Sequence, residues 1–333
     1  MKKLLLLFLL SGLAYGQETV NVYSARHYDS DQVLFDAFTE ETGIQVNLIE
    51  ATAEELVERI RGEGANSPAD VIITVDAGNL WRADQAGLLA SVDSETLNAA
   101  IPENLRHPEG KWFGLATRAR VIIYNKETVS PEELSTYEDL ASETWQGRLC
   151  IRSSTNIYNQ SLLASIIASN GEEAAEAWAQ GIVSNMAREP EGGDTDQIKA
   201  VAAGECDVAV ANDYYLARLL ASDDPADQEV ANAVGIFFPN QEDRGTHINI
   251  SGAAVVATAP NRDNAVAFVE FLASPEAQQI FAEQNNEYPA VAGVAASSII
   301  EGFGEFKADT LNVAMYGENN PLAVQMFDRV GWK

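Results

Sequence analysis

Four of the ten tyrosines in this 333-residue chain share one kind of position. Tyr28 follows the first strand-like run, and Tyr158 opens a helical stretch after the run Leu149–Arg152. Tyr214 and Tyr215 open another helical stretch after Asp207–Ala211, behind Asn212-Asp213 as the expected N-cap. Each place reads as a strand-to-helix turn. Such turns normally take Gly, Ser, Asn or Asp, and in open α/β sheets they are where ligands bind. Any one of these tyrosines alone is an ordinary half-buried aromatic; four in equivalent places weaken that explanation. Phenolate oxygen is a hard anionic donor and suits a hard cation. A free phenol titrates near ~10, so only a strongly polarising cation deprotonates four of them at neutral pH, releasing protons as it binds. Fe³⁺ meets that demand, whereas Ca²⁺ and Mg²⁺ favour carboxylates and carbonyls. Arg118 and Arg218 can offset the surplus negative charge or hold a phenolate by hydrogen bonding. The plainer reading of each is a solvated or ion-paired arginine.

Signatures of catalysis are missing from the sequence. No GxSxG, HExxH, P-loop or GxGxxG occurs in suitable context. The acids are many but scattered, and nothing selects a catalytic pair. Two cysteines and three histidines, at 27, 107 and 247, lack the spacing of zinc ligands.

The elements that must carry the tyrosines follow from periodicity. Val20–Tyr23 alternates as a strand, Asp31–Thr42 has a helical apolar face closed by Gly43, and Ile44–Ile49 returns as a strand. Ala53–Arg61 is helical, Asp70–Val75 is the continuous apolar run of a buried strand, and Leu80–Leu89 is helical again. This is β-α-β-α-β, the pattern of a doubly wound α/β domain. A second series starts near Arg148, with helices Ile157–Ser169, Glu172–Met186, Thr195–Ala203 and Asp213–Ala221 around strands Leu149–Arg152, Asp207–Ala211 and Val234–Phe238. Two long extended runs, Trp112–Asn125 and His247–Thr258, join the series. The pattern predicts two lobes on a hinge: 17–117 plus 242–290, and 118–241 plus 291–333.

Met1-Lys2-Lys3, the apolar run Leu4–Leu10 and the small residues Ala14-Tyr15-Gly16 read as a signal peptide over 1–16, cleaved near Gly16-Gln17. The apolar run is too short to span a membrane, and the expected location is the periplasm. Cys150 and Cys206 in that oxidising compartment are expected to pair, the alternative being two buried free thiols. Lys plus Arg number 21 against 50 Asp plus Glu, a net charge of −29 that becomes −31 once the two lysines of the leader are removed. Such a chain is repelled by nucleic-acid phosphates and anionic lipid, so neither is an expected partner. With 46% hydrophobic residues, most of the chain has the material for a packed core.

The segments VNVYSARHYDSD (20–31), RSSTNIYNQSLLAS (152–165) and CDVAVANDYYLARLL (206–220) resemble the periplasmic ferric-ion-binding proteins of iron ABC transporters, and the likeness spans essentially the whole mature chain. The resemblance implies a two-lobe periplasmic-binding-protein type II fold with hinge strands. It implies closure around Fe³⁺ and delivery to an inner-membrane permease; the chain is read as a carrier and not an enzyme, and is expected to be a monomer. Motif by motif, Tyr28, Tyr158, Tyr214 and Tyr215 fall on the family's iron tyrosines. His27 is either a fifth ligand, as in some members, or a nearby hydrogen-bonding residue. Members that need a synergistic anion use a different first-lobe motif with fewer tyrosines, so an anion is expected to be dispensable here. Ser153, Ser154 and a helix N-terminus offer a place for one. Two rivals stand beside this reading: a same-fold binding protein for an anion or small organic solute, and an exported hydrolase.

Overall fold

The computed structural model describes residues 17–333 except His27, Asp29 and Ser30. The signal-peptide expectation and the assignment of His27 therefore lie outside the described residues.

Nine strands are present among these residues: β1 Thr19–Ser24, β2 Gln45–Glu50, β3 Val71–Val75, β4 Phe113–Asn125, β5 Leu149–Cys150, β6 Val208–Asn212, β7 Val234–Phe237, β8 Ile248–Val255 and β9 Tyr288–Pro289. Along the sheet they run β2-β1-β3-β8-β4-β6-β5, with β7 and β9 also pairing to β4. β1 is parallel to both β2 and β3, as the opening β-α-β-α-β pattern requires, while β8 is antiparallel to its neighbours β3 and β4. Val71–Ile73 are buried because the sheet carries helices on its faces. On one face Phe38, Phe268 and Phe271 from helices Asp31–Thr42 and Arg262–Leu272 pack ring against ring.

β4 is the strand on which the molecule turns. Up to Ala119 it pairs with β8, and from Arg120 onward it pairs with β6. Its last four residues also pair with β7. Arg118 and Arg120 sit at this changeover, each buried to within 2% of full enclosure. The solvated reading of Arg118 is thereby corrected: the run is covered on both sides, so its guanidinium lies inside the fold.

Two local expectations change as well. Leu149–Arg152 forms a strand only over Leu149–Cys150, because Ile151 onward leaves the sheet to reach the helix Ile157–Asn170. The helix expected from Leu80 begins at Ala77, since the Asp76 side chain accepts from Gly78 N at 2.9 Å and caps it. Asp76 takes φ = 76°, a conformation Asp tolerates better than most residues. Its carboxylate also accepts from Ser161 Oγ at 2.6 Å and Asn249 Nδ2 at 2.9 Å, tying three elements together. Cys150 and Cys206 are joined in a disulfide across a separation of 56 residues. No helix among the described residues is long and apolar enough to cross a membrane.

Candidate metal centre

The four tyrosines arrive from three strand ends. Tyr28 stands in the loop after β1, and its carbonyl accepts from Asp31 N at 2.9 Å as the next helix begins. Tyr158 lies in the first turn of Ile157–Asn170, where the Asn156 side chain accepts from its N–H at 3.1 Å. Tyr214 and Tyr215 lie in the first turn of Asp213–Ala221. Asn212 is the N-cap residue there, but its side chain makes no cap hydrogen bond. Asp213 Oδ1 instead accepts from Tyr214 N at 2.8 Å, and Asn212 Oδ1 accepts from Arg120.

The tertiary structure brings these phenols together. The hydroxyls of Tyr158 and Tyr214 are 3.3 Å apart, and the rings of Tyr214 and Tyr215 lie 4.3 Å centroid to centroid. Arg218 enters this group with its guanidinium 4.8 Å from the Tyr214 ring, 5.7 Å from Tyr215 and 4.8 Å from Tyr28. One guanidinium thus links Tyr28 to the Tyr214/Tyr215 pair. Three further arginines, Arg118, Arg120 and Arg152, lie 5.5 to 5.7 Å from the Tyr158 ring.

Burial and crowding set the protonation of this cluster. Burial raises the Tyr158 pKa above the ordinary phenol value, the Tyr215 phenol adds to the rise, and Arg118 opposes it. Tyr214 is raised well above that value by burial and then by Tyr158, Tyr28 and Tyr215. Both are neutral phenols at pH 7 in the iron-free protein. Burial works to lower the pKa of Arg118, but Asp76 and the phenols of Tyr158 and Tyr214 outweigh it and leave it raised. Neither Nη1 nor Nη2 of Arg118 has a hydrogen-bond partner, and the nearest carboxylate oxygen paired with it, Asp76 Oδ2, is 3.9 Å away. Burial pushes Asp213 up to about 8, with Oδ2 unpartnered beside Tyr214. Among the described residues no group of three or more His, Cys, Asp or Glu is arranged to hold a metal ion. The donors gathered at the strand ends are phenols.

Sequence reasoning missed the charged residues behind the tyrosines. Arg26 is buried with Nε 2.9 Å from Asp31 Oδ2 and Nη1 3.0 Å from Glu287 Oε2. Its guanidinium lies 4.7 Å from the Tyr28 ring. Glu287 also accepts from Ser251 Oγ of β8 at 2.9 Å. Asp194, fully enclosed, pairs with both Arg120 and Arg152. A charged residue in an apolar strand is a visible signal for Arg120, but its partners are far away in sequence. Ser153 and Ser154 face local tasks: Ser153 Oγ pairs with Thr155 Oγ1 at 2.6 Å, and Ser154 N donates to the carbonyl of Lys333.

Residues 33–310 match the family of bacterial extracellular solute-binding proteins. Over 317 residues the chain is 56% identical to the Iron uptake protein A1 of Synechocystis, an alignment covering 95% of this chain and 88% of that protein. A Trichodesmium protein solved in complex with iron and citrate ligands superposes with a TM-score of 0.93 at 61% identity, over 95% of this chain and 100% of that one. The ferric binding protein from Campylobacter jejuni superposes with a TM-score of 0.89 at 46% identity, over 94% and 100% of the two chains.

Proposed function

The chain belongs to the bacterial extracellular solute-binding proteins, and from that premise we propose that it captures Fe(III) through tyrosine phenolates in a cleft between two lobes and hands it to an ABC-transporter permease for uptake. It is a carrier and not an enzyme, as its ferric-iron-binding relatives are. In this reading it is exported to the periplasm with cleavage near Gly16-Gln17 and works as a monomer. The lobes are 17–117 plus 242–290 and 118–241 plus 291–333, a division supported by the change of partners along β4 at Ala119/Arg120.

One observation carries the ligand assignment: the 3.3 Å spacing of the Tyr158 and Tyr214 hydroxyls. Two oxygens on adjacent corners of an octahedron with metal–oxygen bonds of ~2.1 Å stand about 3 Å apart, so these two can share one ion with little movement. Tyr215 adjoins them through its ring contact with Tyr214, and Tyr28 completes the set from the loop after β1. Arg118 and Arg218 balance the surplus charge, because both guanidiniums border the phenols. His27 joins as a ligand or a hydrogen-bonding neighbour. Tyr214 and Tyr215 bind first, and Tyr28 arrives as the lobes close.

Iron titration of the purified protein tests the assignment. Adding chelated ferric iron should produce a red-orange phenolate-to-iron charge-transfer band that is lost in Tyr214→Phe/Tyr215→Phe. A colourless protein that holds phosphate or hydrolyses an ester would replace this reading with one of its rivals. Because a relative carries citrate together with iron, the titration is run with and without citrate. Full colour without it would support an anion-independent site. Solution scattering of iron-loaded Tyr28→Phe tests the order of binding, and a fully closed form would refute it.

A further inference from the structure

We propose that Arg120, held by Asp194, is a positioning residue that sets the spacing between the Tyr158 hydroxyl and those of Tyr214 and Tyr215. The inference rests on the Fe(III) reading above and adds to it the device that pre-assembles three of the four donors.

The guanidinium of Arg120 is 1% exposed and lies between the starts of the two tyrosine-bearing helices. Its Nη2 donates to Asn159 Oδ1 at 2.7 Å, one residue beyond Tyr158. Its Nη1 donates to Asn212 Oδ1 at 3.0 Å, two residues before Tyr214. One rigid planar fork therefore grips both helix starts, and the reach of each arm is set by covalent geometry. The fork cannot swing, because Nη1 also donates to Asp194 Oδ2 at 3.0 Å. Asp194 accepts from the Asn212 backbone N–H at 2.8 Å through the same oxygen, and from Arg152 Nη1 at 3.4 Å through the other. Asn159 in turn donates to the carbonyls of Arg152 and Ser153 at 2.8 and 3.2 Å, fixing the loop that leads into the Tyr158 helix.

The consequence for the metal is geometric. Bringing two phenolate oxygens about an ion takes sub-ångström control of two separate helices, and bonds to residues neighbouring the ligands supply it. A lysine at position 120 keeps the charge but presents a point donor with no fork, so it grips one helix start at a time.

The test uses the full mature protein and reads three quantities: the charge-transfer band per bound iron, the rate of iron release to a competing chelator, and the melting temperature of the iron-free form. Arg120→Lys should shift or weaken the band and raise the release rate roughly tenfold or more, the usual consequence of cutting support behind a metal ligand. Since a buried arginine variant can fail to fold, Asn159→Leu and Asn159→Asp give a second route. Asn159→Asp keeps the oxygen that accepts from Arg120 and should retain the wild-type band, whereas Asn159→Leu should reproduce Arg120→Lys. If both Asn159 variants fold and are equally impaired, the bonds to Arg152 and Ser153 are what matter and the role of Arg120 is overturned. A folded Asn159→Leu protein with wild-type band and release rate overturns it too. Wild-type protein with no charge-transfer band removes the Fe(III) reading itself, and the positioning role with it.

Discussion

Replacing Tyr158 by Phe removes one oxygen from the cluster and leaves the ring in place, so its effects on stability and on iron can be worked separately. In the iron-free protein the loss is the 3.3 Å hydroxyl pair with Tyr214. A neutral hydrogen bond of this kind contributes about 1 kcal/mol, which in a protein of this size lowers the melting temperature by roughly 1–2 °C. The effect on iron is far larger and depends on pH. Burial holds the phenols of Tyr158 and Tyr214 above the ordinary range, so on the proposed ligation each would enter the metal's coordination by losing a proton. At fixed free ferric ion, every phenolate formed makes the apparent affinity rise tenfold per pH unit, about 1.4 kcal/mol. Four phenolates give a slope of roughly four in log affinity against pH, and Tyr158→Phe should give a slope of roughly three. The assay is a chelator-buffered titration between about pH 6 and 7.5, followed by the charge-transfer band, with the chelator's own pH dependence measured separately. A Tyr158→Phe protein with an undiminished slope would show that this oxygen does not bind as a phenolate. A wild-type slope near zero would refute the phenolate argument for the whole site.

Arg26→Met leaves the buried carboxylates of Asp31 and Glu287 without their cation. Denaturant unfolding of the iron-free protein should show a loss of about 3–5 kcal/mol, with most of it recovered when Asp31→Asn and Glu287→Gln are added; a loss below about 1 kcal/mol would contradict the ion-pair argument. His247 is fully enclosed, and burial followed by Arg244, Arg120 and Arg118 depresses its pKa well below the usual value. The unfolded chain therefore binds its proton first, so the stability from neutral His247 is complete above about pH 6.5 and declines as pH falls, by up to about 1.4 kcal/mol per unit. Wild-type stability should fall more steeply on acidification than that of His247→Phe, and parallel curves would refute the assignment. Removing the disulfide with Cys150→Ala/Cys206→Ala opens a loop spanning a separation of 56 residues. The chain-entropy relation gives a destabilisation of about 4 kcal/mol, measured against the oxidised protein and expected to vanish when both are compared under reducing conditions.

The tyrosines are legible in the sequence because their meaning is topological. In an open α/β sheet the residues just past a strand's carboxyl end face the ligand, and strand ends can be recognised from apolar runs followed by helical periodicity. The opening strands and the helices Asp31–Thr42 and Asp213–Ala221 follow from the same local patterns. Capping is only half legible. Asn156 caps the Tyr158 helix through its side chain, whereas Asn212 turns its oxygen to Arg120 and leaves its local role to Asp213. Nothing within a few residues of Asn212 signals that competition.

Residue types and their spacing along the chain decided where the phenols fall: at strand ends, in a chain whose acids are scattered. Only the tertiary structure decided which charged groups surround the phenols and what holds those groups in place. Arg120 meets Asp194 across 74 residues, and Arg26 meets Glu287 across 261. A buried charge must be paired wherever the fold supplies a partner, and the fold supplies these partners from elements that no local pattern connects. The net charge of −29 belongs to the whole chain, while the charged groups nearest the phenols include four arginines, Arg118, Arg120, Arg152 and Arg218. Composition sums over the surface, and the site is built from what the fold encloses.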